Sequence, residues 1–146
     1  MKAYESLLKG ISRLVEWITC GLLVVLVLII SWQVFARYVL GKPPSWSEEV
    51  AIILVVWFGL LGAGLGVRDK SHLAVEFLVR GLKEPAKEFF YRLSYALIIS
   101  FSMLMIVAGA RRVRFVNLNE EINPATGIPV GYTYLAIPLA GAFIFL

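Results

Sequence analysis

The sequence predicts an all-α integral membrane protein. It is expected to have four transmembrane helices, both ends on the cytoplasmic side, and an amphipathic segment at that interface between helices two and three. Of the 146 residues, 60% are hydrophobic and only 16% charged, with a mean hydropathy of +0.82. A soluble domain is about half apolar and about a quarter charged. The excess lies in runs long enough to cross about 30 Å of hydrocarbon. The basic residues gather between those runs, where lipid headgroups and topology account for them. Nothing in the net charge of +4 calls for nucleic acid, and residues 1–146 read as one membrane domain.

The first helix is expected over about 14–38. A short basic head precedes it, with Leu7, Leu8, Ile11, Leu14 and Val15 at helical spacing. The run is too long for the core of a signal peptide and no small-residue cleavage site follows it, so it reads as retained. Gly41 suits its C-terminal cap and Pro43-Pro44 ends it. Helix two (about 46–67) opens on Ser45-Trp-Ser-Glu48, a capping-box pattern, with Glu48 and Glu49 at the positive end of the helix dipole. Gly59, Gly62 and Gly66 share a face of this helix beside Ala63. In lipid such faces allow close backbone approach, so this one is expected to be a packing seam.

The segment 71–83 is too polar to span and is expected to lie along the surface. Arg68, His72, Glu76 and Arg80 form a polar stripe at four-residue spacing, opposite Leu73, Phe77, Leu78 and Leu82. Helix three (about 86–112) starts behind Pro85 and meets Arg111, Arg112 and Arg114 at its far end. After the turn signal Asn123-Pro124, helix four (about 128–146) is expected to begin near Pro129. Pro138 should kink it, because proline cannot donate to the Tyr134 carbonyl. The chain stops on Phe145-Leu146 without a polar tail, which points to a native end beyond Leu146.

Orientation follows from the basic residues. Three lie in the head (Lys2, Lys9, Arg13) and six in the middle loop (Arg68, Lys70, Arg80, Lys83, Lys87, Arg92). Against them stand two in the hinge (Arg37, Lys42) and three after helix three. The positive-inside rule then places both ends in the cytoplasm and the hinge outside.

Chemistry has little to work with. The single histidine, His72, and single cysteine, Cys20, exclude a bis-histidine haem within the chain, an intrachain disulfide and a protein-only zinc site of the usual ligand number. No nucleophile–base pair or phosphate loop is visible, so neither an enzyme nor a cofactor is expected. Helices two, three and four carry no ionisable residue in their central portions, where a transport site would be marked by one. Glu16, one turn into helix one, reads first as an interfacial anchor pairing with Arg13. The sharper alternative is the proton site of a self-contained small exporter. Gln33, Arg37, Trp46, Glu48 and Glu49 converge at the hinge. They serve either to lock helix one to helix two or to dock a second subunit, and the residues leave both open.

Taken together, Gln33-Val-x-x-Arg37-Tyr, Pro44-x-Trp46-x-Glu48-Glu49, Trp57, Leu61-Gly62 and Arg68-x-x-x-His72-x-x-Val75 resemble one family. So does the ending Asn123-Pro-Ala-Thr-Gly-Ile-Pro129-x-x-Tyr132-x-Tyr134-x-x-x-Pro138. The family is the small membrane subunits of tripartite ATP-independent periplasmic (TRAP) transporters, and the resemblance covers about residues 15–146. The chain departs from it at Glu76, where an aspartate is usual. The resemblance implies a bacterial or archaeal cytoplasmic-membrane protein that transports nothing by itself. Its implied partners are a large membrane subunit holding the substrate and sodium sites, and a periplasmic substrate-binding protein that delivers organic acids. Under this reading the hinge residues and the glycine face of helix two hold the assembly. A third reading, the membrane anchor of a respiratory enzyme, is disfavoured by the lone histidine.

Overall fold

The computed structural model describes residues 2–79 and 84–145, with side chains over 10–67 and 86–145. Among these residues the helices are α1 (Lys2–Val39), α2 (Ser45–Val79), α3 (Glu84–Leu118), α4 (Gly131–Tyr134) and α5 (Ala136–Phe145). Three stretches are long and apolar enough to cross a membrane: Gly10–Val39, Ser45–Val67 and Ala86–Leu118. The fourth apolar piece, Gly131–Phe145, is shorter, about 22 Å at a rise of about 1.5 Å per residue.

The α1–α2 pairing is built on a heptad. Ser12, Val15, Thr19, Leu22, Leu26, Ile29, Gln33 and Ala36 are buried or half-buried while the residues between them are exposed. These positions alternate three and four apart, the spacing that keeps one seam against a neighbouring helix. Among the described residues α1 packs only against α2, so that seam faces α2. Small and polar residues make it close. A Cβ built on Gly62 would sit 3.7 Å from Thr19 Cγ2, and Thr19 Oγ1 donates back to the Val15 carbonyl at 2.7 Å.

A tighter cluster forms where α5 wedges between α2 and α3. A Cβ on Gly64 would lie 2.9 Å from Phe143 Cδ1. One on Gly109 would lie 2.7 Å from Pro138 Cδ and 2.9 Å from its backbone nitrogen. One on Gly141 would meet Met105 Cβ at 2.9 Å and the Ser102 carbonyl at 3.0 Å. Only hydrogen fits at these three positions. Apolar side chains gain little by leaving lipid, so this close approach supplies the dispersion contact that holds the helices together.

The glycine face expected on α2 is therefore divided. Gly62 is in the α1 seam, but Gly59 and Gly66 have nothing within 4 Å of a built Cβ. With Ile52, Val55 and Ala63 they form an exposed stripe. Gly64, one helical step round, makes the contact to α5.

The helix termini differ in detail from the sequence reading. Gly41 takes φ +68° after α1, as a C-terminal cap requires. Ser45 is the first helical residue of α2 rather than its cap. Ser47, fully buried, donates through Oγ to the Pro44 carbonyl at 2.7 Å. Helix α2 runs on through Val79, so the backbone of 71–79 continues it instead of starting a new segment. The side chains of Arg68, His72 and Glu76, and all of Arg80, lie outside the described residues.

Pro129 precedes the fourth helical piece, which begins at Gly131. The interruption in that piece falls at Leu135, three residues before Pro138. Leu135 keeps helical dihedrals (φ −58°, ψ −27°), so the chain loses one hydrogen bond there without leaving the right-handed helical region. The Leu139 amide resumes the ladder by donating to the Leu135 carbonyl at 3.3 Å. Pro138 itself is the residue that meets Gly109.

These contacts predict opposite outcomes for two glycines of similar sequence setting. Gly109→Ala drives a methyl into the Pro138 ring and backbone, and should lower stability in detergent by about 1–3 kcal/mol. Gly59→Ala adds a methyl in open space and should leave the melting temperature of the isolated chain unchanged or slightly raised. Thermal unfolding of the two variants, followed by circular dichroism, checks both.

Candidate assembly joint at the hinge

Polar interactions gather at the end of the molecule that holds the 40–44 hinge. Helix α3 finishes there in a Schellman arrangement: the Glu121 amide donates to the Val116 carbonyl at 3.2 Å and the Glu120 amide to the Asn117 carbonyl at 3.3 Å. Glu120 occupies the left-handed position at φ 51° that usually falls to glycine. The loop then folds on itself. The Val130 amide donates to the Glu121 carbonyl at 2.9 Å, giving an antiparallel bridge between Ile122 and Pro129. Asn123 donates to the Ile128 carbonyl through its amide at 2.9 Å and through Nδ2 at 3.1 Å. The Gly127 amide returns to the Asn123 carbonyl at 2.8 Å, with Gly127 at φ +69°.

Glu49 is the fastener. Its Oε1 accepts from the Ala125 amide at 2.9 Å. Its Oε2 accepts from the Thr126 amide at 2.9 Å and from Thr126 Oγ1 at 2.8 Å. Three donors on one carboxylate, two of them backbone amides, make a charge-assisted clasp between the first turn of α2 and a loop 76 residues away in the chain. Eight residues along α2, Trp57 Nε1 donates to the Tyr132 carbonyl at 3.1 Å, pinning the start of α4 to the same helix. On the α3 side, the Arg112 guanidinium lies 4.9 Å from the Tyr134 ring centroid and 5.5 Å from that of Phe115, within cation–π range.

The hinge cluster read from sequence is thus partly redistributed. Glu49 serves the 123–127 loop, and among the described residues no ion pair joins Arg37 to Glu48 or Glu49; an ion pair is formed instead within α3, by Arg92 and Glu88 at 2.6 Å. Gln33 is half-buried in the α1–α2 seam, whereas Arg37, Trp46 and Glu48 are exposed. Proximity in sequence suggested the pairing, but the Glu49 carboxylate is turned to Ala125 and Thr126 in the loop between α3 and α4. The loop donors of Glu49 were missed. Their signal was the Asn123-Pro-Ala-Thr-Gly-Ile-Pro run, whose turn residues the sequence reading used only to place a loop. Glu16 is exposed on α1 beside Arg13, Trp17 and Cys20, away from the α2 seam. Among the described residues no group of His, Cys, Asp and Glu is arranged to hold a metal. The buried polar side chains are Thr19, Ser47 and Ser102; each hydroxyl is satisfied by a carbonyl three or four residues earlier.

Fold and joint together define a multi-pass helical membrane protein whose polar groups hold loops and helices in place. Residues 26–146 match the family model described as "Tripartite ATP-independent periplasmic transporters, DctQ component". The chain belongs to that family, the small permease components of TRAP transporters. It is 30% identical over 132 residues to a sialic acid TRAP transporter permease protein, SiaT, of Haemophilus influenzae. That match takes in 90% of this chain but 21% of the relative. It is 28% identical over 143 residues to the sialic acid TRAP transporter small permease protein SiaQ of Vibrio cholerae, covering 96% of this chain and 80% of the relative. With the C4-dicarboxylate TRAP transporter small permease protein DctQ of Rhodobacter capsulatus it shares 30% identity over 99 residues, 68% of this chain and 44% of that protein.

Removing the Glu49 acceptor should free the loop without unfolding the helices. Glu49→Ala is expected to raise hydrogen-exchange rates at the Ala125 and Thr126 amides by roughly tenfold or more, since a lost native bond exposes amides to local opening. Glu48→Ala, whose carboxylate has no loop partner, should leave those rates unchanged. Equal protection in both variants would show that the clasp does not hold the loop.

Proposed function

We propose that this chain is the scaffold subunit of a sodium-driven importer of organic acids. On this reading it anchors a large transport subunit and moves no substrate itself. The observation that carries the reading is the content of the core. The buried polar groups among the described residues are three hydroxyls, each bonded to a carbonyl three or four residues earlier in the chain. A transport site near mid-membrane needs ionisable or unpaired polar groups facing a path. Helix α1, which packs only against α2, also leaves most of its circumference open to a neighbour or to lipid.

The organic-acid class draws on the relatives, whose names specify sialic acid and C4-dicarboxylate; both are carboxylates. Sodium coupling and a large partner subunit come from the sequence resemblance. The H. influenzae relative, of which this chain matches a fifth, supports a larger partner module on the same polypeptide. In the proposed orientation both ends are cytoplasmic in the inner membrane. The hinge and the Glu120-Glu121 loop then face the periplasm, where exposed Glu48 and Glu120 and half-buried Glu121 meet the substrate-binding protein. A small exporter centred on Glu16 finds no support, because that carboxylate lies outside the helix seams.

The purified chain in liposomes should show no uptake under a sodium gradient, and when tagged it should retain a large helical membrane protein co-expressed from a neighbouring gene. Gradient-driven uptake by the chain alone would overturn the scaffold reading. Replacing Glu48 and Glu49 together by alanine should reduce recovery of the complex; full recovery with full transport would remove the hinge from the assembly.

A further inference from the structure

The arginines near the hinge end of α3 have a task left over once the clasp is described. Arg111 and Arg112 border an open groove on the outside of α3, about 580 Å³ in volume, whose other walls are Leu104, Val107, Ala108 and Phe115. This surface is turned away from the bundle: α3 buries Ser102, Met105, Gly109 and Val116 toward its neighbours, while Phe101, Leu104, Ala108, Arg111 and Phe115 are exposed on the opposite face. Arg112 is fixed by the Phe115 and Tyr134 rings, so one of the two cations is held in position before anything binds. Arg111 has no carboxylate partner among the described residues.

We propose that this groove seats an anionic phospholipid of the hinge-side leaflet, its phosphate between Arg111 and Arg112 and an acyl chain along the apolar face below them. The dimensions agree. Arg111 is seven residues before the end of α3, about 10 Å below it at the helical rise, which places the guanidinium at headgroup depth when Leu118 reaches water. Half of a hydrocarbon core is about 15 Å. A chain descending that far from Arg111 passes Ala108 and Leu104 and ends near Phe101, all on the exposed face.

Two cations at the head of an apolar groove suit an amphipathic anion. A phosphodiester takes bonds from both guanidinium groups, and its tails fill the apolar part. The adjacent Arg114 supplies the control. It lies one turn along α3 from Arg111 but lines a separate pocket, with Ala110, Val113, Asn117, Leu135 and Pro138, and does not border the proposed groove.

Native mass spectrometry of the full chain, released from detergent containing either phosphatidylglycerol or phosphatidylcholine, tests this. The wild type should retain phosphatidylglycerol in preference. Arg111→Gln should cut that retention by about fivefold, the effect of about one basic residue at an anionic surface. Arg114→Gln should leave it unchanged. Equal losses in the two variants would mean diffuse surface charge rather than a site, and would overturn the proposal. So would equal retention of the two lipids by the wild type. A third overturning result is that Arg111→Gln keeps the lipid but fails to retain the large co-expressed membrane protein, which would make Arg111 a protein contact. Melting curves for both variants confirm that folding is intact, and the outcome is independent of whether the scaffold reading stands.

Discussion

Lipid is as apolar as leucine, so burying a side chain between two membrane helices gains little over leaving it in acyl chains. What remains is contact density, and in this molecule it is greatest along α5. The helix is short, yet it touches both long neighbours through positions where a single methyl would collide: Gly64 toward Phe143, Gly109 toward Pro138, Gly141 toward Met105 and the Ser102 carbonyl. Helices α2 and α3 are each about 50 Å long at the helical rise, but without α5 between them they would share little surface. The seat of α5 therefore determines how the cluster of α2, α3 and α5 closes. Helix α1, laid along the far side of α2, joins that cluster through its own heptad seam.

Close packing alone would leave α5 free to slide along its neighbours, because a groove of small residues restrains sideways motion better than motion along the axis. The polar groups at the hinge end supply the missing restraint. Glu49 holds the 123–127 loop by three hydrogen bonds, and Trp57 holds the Tyr132 carbonyl. Both anchors lie on α2, and both act on the chain just before α5 begins. They fix its height while the glycines fix its depth. Hydrogen bonds at the edge of the hydrocarbon face weaker competition from water than those of a soluble loop, which makes this an effective place for a register lock.

The long apolar helices and the family were legible because they rest on composition and on signals local to a few residues. The packing was not, and the reason is specific to membranes. In a soluble helix the buried stripe is the apolar one; in α1 every face is apolar. The seam is marked instead by the small and polar residues Ser12, Thr19, Gln33 and Ala36, of which only Gln33 drew notice. Small-residue spacing found Gly62 but also Gly59 and Gly66, which face open space, and overlooked Gly64 and Gly109. Spacing on one helix cannot say which neighbour stands opposite. The same limit misplaced Glu49. A carboxylate five residues after a Pro-Pro turn looks paired with an arginine before it, whereas its donors are 76 and 77 residues away. Motif fragments at both ends of that contact were on view, the Trp46-x-Glu48-Glu49 run and the Asn123 to Pro129 run, but only a third dimension joins them.

The arrangement of hydroxyls and carboxylates separates structural from transport roles for polar groups in this chain. A hydroxyl bonded to a carbonyl three or four residues back, as at Thr19, Ser47 and Ser102, can be buried without needing a partner from outside. A carboxylate can be kept near the membrane when donors are built for it, as the loop amides are for Glu49. In the first arrangement the hydroxyl proton is committed within the fold, and in the second the carboxylate already accepts three hydrogen bonds. Among the exposed charges, Arg37, Glu48, Arg111 and Arg114 lie on the outside of the helices toward the hinge end. That surface is where their charge remains available for contact with lipid or protein.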